Sequence, residues 1–178
     1  MLPESKSAIL HDINVAIERA LIGRSCRSQI FMSENRESRS ALLREIQQLI
    51  DEKHQITTNL IAQTGTSLRS LLSDPLLKLS KALNIDIDIN GDLTYLLPDV
   101  FIELGTALAK NNLSWAILIE DLDKLEPVEL GILISALHAA NQKSLPVLCI
   151  GAGGLQLTKK VGDAKPYAER IFEFKLID

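Results

Sequence analysis

The chain contains little of what a metal site, a disulfide framework or a membrane span requires. Its 178 residues include two cysteines, Cys26 and Cys149, and three histidines, His11, His54 and His138. The cysteines have no metal-ligand spacing and lie beside or within predicted strands, which reads as buried free thiols. The histidines are far apart and read as residues of helix surfaces and ends. No apolar run reaches the ~18 residues that a membrane span needs, and Pro3-Glu4-Ser5-Lys6 leads into an amphipathic helix rather than a signal peptide. These absences imply a cytoplasmic protein with no membrane partner. Aromatic residues are only 4% against 46% hydrophobic in all. The core must therefore be Leu, Ile, Val and Ala, the composition of an α/β protein with parallel strands. Neither sign of charge dominates: 19 basic and 23 acidic residues give a net charge of −4, which argues against nonspecific nucleic-acid binding. Six of the eight arginines fall between Arg19 and Arg44, but acids are interleaved with them, as on a solvated mixed-charge face.

The length fits one domain spanning residues 1–178. Residues 6–22 place Ile9, Ile13, Ala16, Ile17 and Ala20 on one helical face, with Gly23 as the stop. Ser28 to Met32 reads as a strand, residues 36–53 as a strongly periodic helix, and Gln55 to Ala62 as a β-branched strand. A helix over Ser67 to Leu83, with a possible kink at Pro75, precedes a peripheral excursion near 84–92. There Ile85-Asp86-Ile87-Asp88-Ile89 alternates strictly and Asn90-Gly91 supplies a turn. A helix from Leu96 to Lys110 puts Pro98 in its first turn. Then come a continuous apolar strand at Trp115 to Ile119, a helix over Pro127 to Asn141 and a strand at Leu145 to Ile150. Gly151-Ala152-Gly153-Gly154 reads as a loop, Tyr167 to Arg170 as a helical turn, and Ile171 to Leu176 as an edge strand. Strands alternating with helices predict a parallel sheet with right-handed crossovers and helices on both faces.

Three segments carry a resemblance. Ile117-Leu118-Ile119-Glu120-Asp121-Leu122-Asp123-Lys124-Leu125 is a buried strand ending in paired acids. The others are Leu145-Pro146-Val147-Leu148-Cys149-Ile150-Gly151-Ala152-Gly153 and residues 162–174, from Gly162-Asp163-Ala164 to Phe172-Glu173-Phe174. With the helix-strand-helix of residues 6–53, these make the chain resemble the bacterial and archaeal AAA-type P-loop ATPases related to the origin-recognition and STAND ATPases. The resemblance implies a three-layer P-loop NTPase-like α/β fold with a five-stranded parallel sheet in the order 5-1-4-3-2. It also implies a helical lid after the last strand, which the sequence ending at Asp178 lacks.

A working phosphate loop reads Gly-x-x-x-x-Gly-Lys-[Ser/Thr], its glycines letting successive N–H groups turn inward on the phosphates. The corresponding stretch here, residues 33–40, contains no glycine. The resemblance puts Ser33 and Ser38 at the two glycine positions, Arg39 at the lysine and Ser40 at the magnesium-binding hydroxyl. Arg39 keeps the charge but not the shape of lysine, and Glu34 and Glu37 place negative charge where a polyphosphate would sit. Locally, Ser33 reads as a helix cap. Glu120 stands where the family has its metal-binding Asp, and Asp121 where it has its water-polarising Glu, so the two acids are inverted in order and in reach. Gly151 to Gly154 is no dinucleotide fingerprint, lacking the helix-plus-acid pattern. Asp123 and Lys124 could meet a neighbouring subunit or form a solvated loop. The expectation is a degenerate domain that is not an ATPase, needs no cofactor, and partners an intact homologous ATPase, a second copy or another protein. Two alternatives stay open: a divergent ATP/ADP-Mg-binding protein or slow ATPase using Arg39, Ser40, Glu120 and Asp121, and a DNA-associated accessory protein.

Overall fold

The computed structural model describes residues 3–178. Along them run α1 (Lys6–Leu21), β1 (Ser28–Met32), α2 (Arg36–Glu52), β2 (Ile56–Ile61), α3 (Leu68–Ala82), α4 (Leu93–Lys110), β3 (Trp115–Glu120), α5 (Pro127–Gln142), β4 (Val147–Gly153), α6 (Leu157–Ala164) and β5 (Phe172–Leu176). Short 3-10 turns occupy Leu122–Lys124 and Ala168–Arg170. The five strands form one parallel sheet in the order β2-β3-β4-β1-β5, the expected 5-1-4-3-2 read from the opposite edge.

Helices cover both faces, which is why the central strands are apolar without alternation. Trp115, Ile117 and Ile119 of β3 point into the core shared with α3, α4 and α5, while Ala116 and Leu118 point to the opposite core. That second core is built by Ile9, Ile13 and Ile17 of α1 and Leu42, Leu43, Ile46 and Ile50 of α2. Phe31 of β1 faces it, and its neighbours Ile30 and Met32 face the first. Gly23, at φ 71°, ends α1 as expected: Arg24 N–H donates to the Arg19 carbonyl at 2.9 Å and Gly23 N–H to that of Ala20 at 3.1 Å, a Schellman closure.

Three details differ from the sequence expectations. Gly151-Ala152-Gly153 is strand, not loop, paired in register with Ile30, Phe31 and Met32. The glycines serve close packing instead of a turn: a Cβ on Gly151 would lie 2.5 Å from Leu122 Cδ2, and one on Gly153 2.5 Å from Asp123 Oδ1. Helix α6 was not anticipated, because its eight residues include Gly162 and it begins without a side-chain cap. Helix α4 starts at Leu93, where Asp92 accepts from Thr94 N–H at 2.9 Å, so Pro98 falls in the second turn. Residues 85–89 alternate, with Ile87 buried and Asp86 and Asp88 exposed, and join no sheet. Arg69 holds this connection by donating to the carbonyls of Ile89 and Gly91.

Candidate functional site

Parallel α/β sheets place their ligand crevices at the carboxyl ends of the strands. There, only residues 33–35 separate β1 from α2. Asn35, not Ser33, caps α2: its side-chain oxygen accepts from Glu37 N–H at 3.0 Å and Ser38 N–H at 3.2 Å. A cap must directly precede the first helical residue to reach the second and third N–H groups, and Ser33 stands three residues before Arg36. Ser33 is buried and instead accepts from Asn35 N–H at 2.8 Å. The amides of Asn35, Glu37 and Ser38, which an anion would otherwise meet, are thus taken up by the chain's own side chains. Ser38 keeps only its hydroxyl side available, facing a 170 Å³ cavity between α1 and α2. Glu34 accepts from Leu155 N–H at 3.3 Å, and Glu37 is exposed.

The charged residues close on one another. Arg39 is 7% exposed, donates to Asp121 Oδ1 at 2.8 Å, and donates also to the Ser33 carbonyl. Its Nε has no partner. Asp121, also 7% exposed, receives Arg36 on its other oxygen at 3.0 Å. Arg36 reaches Glu120 Oε1 at 3.5 Å, and Ser40 donates to the same oxygen. Two guanidinium groups therefore neutralise two carboxylates. Asp121 adopts the left-handed region at φ 53°, turning the chain out of β3 into the 3-10 turn and directing its carboxylate back at Arg39. Arg36, whose side chain is 64% exposed, is the solvent-facing member of the network.

Asp123 is tied to the end of β4 and the start of α6. Its carboxylate accepts from Gly154 N–H at 3.3 Å and Gln156 Nε2 at 3.1 Å, and its carbonyl accepts from Lys160 Nζ at 2.7 Å. Lys124 is exposed. His11 and His54 are exposed, and His138 is half-buried against the Tyr167 ring at 4.8 Å. Cys149 is buried and Cys26 half-buried. Burial pushes their thiols up to about 12 and about 11, with Arg19 pulling slightly the other way at Cys26. Among the described residues, no cluster of three or more His, Cys, Asp or Glu is placed to hold a metal, and no helix is long and apolar enough to cross a membrane.

No protein-family model matches the sequence, and no curated protein matches it. Solved structures do match in shape. The Aeropyrum pernix ORC2 protein in its ADP form superposes with a TM-score of 0.61 at 12% identity, over 94% of this chain and 46% of that one. The fold is that of the AAA-type P-loop ATPases. Cdc6p from Pyrobaculum aerophilum gives a TM-score of 0.59 at 12% identity over 98% of this chain and 46% of its own. The Aeropyrum pernix ORC1 protein in complex with DNA gives 0.55 at 13% identity over 100% and 46%. The chain spans just under half the length of each of these proteins. Within this AAA-type fold, Arg39, Ser40, Glu120 and Asp121, singled out from the sequence, do converge. Sequence reading missed the cap at Asn35 and the pairing of Arg36 with both acids. A better N-cap type directly before the first periodic residue was the signal available for Asn35.

Proposed function

We propose that this AAA-type domain is catalytically inactive as an ATPase and acts by binding protein, either an intact homologous ATPase or a second copy of itself. The observation that carries this reading is the closed network of Arg36, Arg39, Glu120 and Asp121 beside a helix start where the Asn35, Glu37 and Ser38 amides are already engaged. A bound polyphosphate needs free N–H groups and a free cation, and a magnesium ion needs a free carboxylate. Here Arg39 is committed to Asp121 and to Ser33, while Ser40 and Arg36 occupy Glu120. The residues therefore do not fit Mg-ATP without dismantling the buried Arg39–Asp121 ion pair. What the carboxyl edge does offer is Arg36 with the rims of Glu120 and Asp121, a polar surface for a partner protein.

Calorimetric titration with Mg-ATP and Mg-ADP, using Arg39→Ala as control, tests the reading. No binding heat is expected up to millimolar ligand. Micromolar binding that disappears in Arg39→Ala would make the domain a nucleotide-responsive one. For the partner, sedimentation of the protein alone and mixed with an intact homologous ATPase is expected to show a complex that Arg36→Glu weakens. Monomers under both conditions would count against the interaction role.

A further inference from the structure

At the opposite end of the sheet from the Arg36–Asp121 network lies a 470 Å³ groove. One wall is the flank of α1, with Asp12 and Arg19; the other is formed by the segment entering β1, with Arg27, and the start of β5, with Arg170 and Glu173. The floor is Gln29 of β1. Gln29 is only 4% exposed in the middle of a sheet, and its Oε1 is buried without any hydrogen-bond partner. A neutral amide left unpaired in a core costs stability, and an apolar residue there would not. Beneath it is a void of 10 Å³, about the room of one water.

The groove is held open by the chain around it. Asn141, at the end of α5, donates to the Cys26 carbonyl at 2.6 Å and accepts from the Ser25 hydroxyl at 2.9 Å, fixing the segment that carries Arg27. Arg19 donates to the Ser25 carbonyl at 3.3 Å. Two acids also line the groove, and both face Lys175: Asp12 accepts from it and Glu173 lies 3.8 Å away. Among the described residues, Arg19, Arg27 and Arg170 are in no ion pair. Arg27 and Arg170, whose side chains make no hydrogen bond or ion pair among the described residues, and Arg19, held only by the Ser25 carbonyl, line a groove of ligand size and supply charge for an anion, while the Gln29 amide oxygen lacks a donor.

We propose that this groove binds a small molecule bearing two or more oxyanion groups, phosphate or carboxylate, and a hydroxyl or other donor placed to satisfy the Gln29 amide oxygen. The arginines supply the charge recognition and Gln29 the polar floor. This site is independent of nucleotide binding at the carboxyl edge.

The test is calorimetry with inorganic pyrophosphate in one arm and citrate in the other. The protein variants are wild type, Arg27→Ala/Arg170→Ala, Gln29→Leu and Arg36→Ala. Saturable binding of at least one probe is expected, weakened tenfold or more in the double arginine variant and retained in Arg36→Ala. The arm that binds tells phosphate from carboxylate chemistry. Gln29→Leu is expected to raise the melting temperature without ligand while weakening binding of citrate, whose hydroxyl can donate to the amide oxygen, the opposite signs that mark a residue kept for binding rather than folding. No binding to either probe overturns the proposal. So does binding that survives the double variant, or binding lost only in Arg36→Ala, which would place the anion at the other end of the sheet and count against the inactive-domain reading instead.

Discussion

Removing the charge of Arg39 should unfold the carboxyl edge before it does anything else. Arg39 and Asp121 are each 7% exposed and meet at 2.8 Å, so neither charge has water to fall back on. Arg39→Met leaves Asp121 with Arg36 alone, a partner whose side chain is 64% exposed, and strips the Ser33 carbonyl of its donor. Breaking one side of a buried pair costs about 3–5 kcal/mol, and the surviving exposed contact returns a fraction of it. The expected loss is about 3 kcal/mol. In a chain of this length that is a fall of about 6–12 °C in Tm. Asp121→Asn keeps the left-handed turn, which Asn tolerates, and exposes Arg39 to the same penalty from the other side. The double variant should be much less unstable than the sum of the two, with a coupling above about 1.5 kcal/mol. Urea unfolding followed by the emission of Trp115, the one tryptophan, reads all four proteins. A loss below about 1 kcal/mol for Arg39→Met, or an additive cycle, would refute the claim that this pair holds the site closed.

Three further outcomes follow from other parts of the fold. Gly151→Ala should cost about 1–3 kcal/mol by overpacking, since the new Cβ meets the fully buried Leu122 at 2.5 Å, and Leu122→Ala in the same chain should recover part of it by urea titration. Lys175 is buried with Glu4 at 3.0 Å, Asp12 and Glu173; burial opposes its charge, but the hydrogen bonds to Asp12 and Glu4 prevail and hold its pKa above the usual 10.5. The native state then keeps the proton that the unfolded chain loses, so this contribution is complete below pH 10.5 and falls as pH rises through the folded pKa, and Lys175→Met should flatten that part of a Tm-versus-pH curve. The thiols begin an earlier alkaline loss near pH 9.0, their ordinary value, and at pH 8 Cys149 should resist a thiol-disulfide reagent in the native protein and react at once in urea; labelling of native Cys149 at the rate of a free thiol would contradict its burial.

The sequence made the architecture legible wherever a single physical demand ruled a segment. Trp115 to Ile119 is apolar at every position because both faces of β3 are covered, and the α2 pattern of Leu42, Leu43, Ile46 and Ile50 admits only a helix against a sheet. It misled where one residue type serves two demands. Glycine ends α1 at Gly23 by adopting positive φ, but at Gly151 and Gly153 it sits inside a strand because Leu122 and Asp123 press against the backbone. Composition cannot distinguish a turn from a close approach. The candidate site divides in the same way. Glycine's absence from residues 33–40 was visible as a missing cradle, and the roles implied for Arg39, Ser40, Glu120 and Asp121 came from resemblance; that the four satisfy one another was not visible. It depends on α2 beginning at Arg36, which brings Arg36 and Arg39 one turn apart onto the face that meets the end of β3. The groove under α1 was hidden for a stronger reason. Arg19 and Arg27 read as part of a mixed-charge surface, and Arg170 stands more than 140 positions away in the chain, so only the parallel pairing of β5 with β1 brings the three to one end of the sheet. Gln29 alone carried a local hint. Ser28, the other polar residue of β1, accepts from Cys149 N–H at 2.9 Å, whereas the Gln29 amide oxygen has no partner, and a residue unexplained by folding is where a binding role is to be sought first.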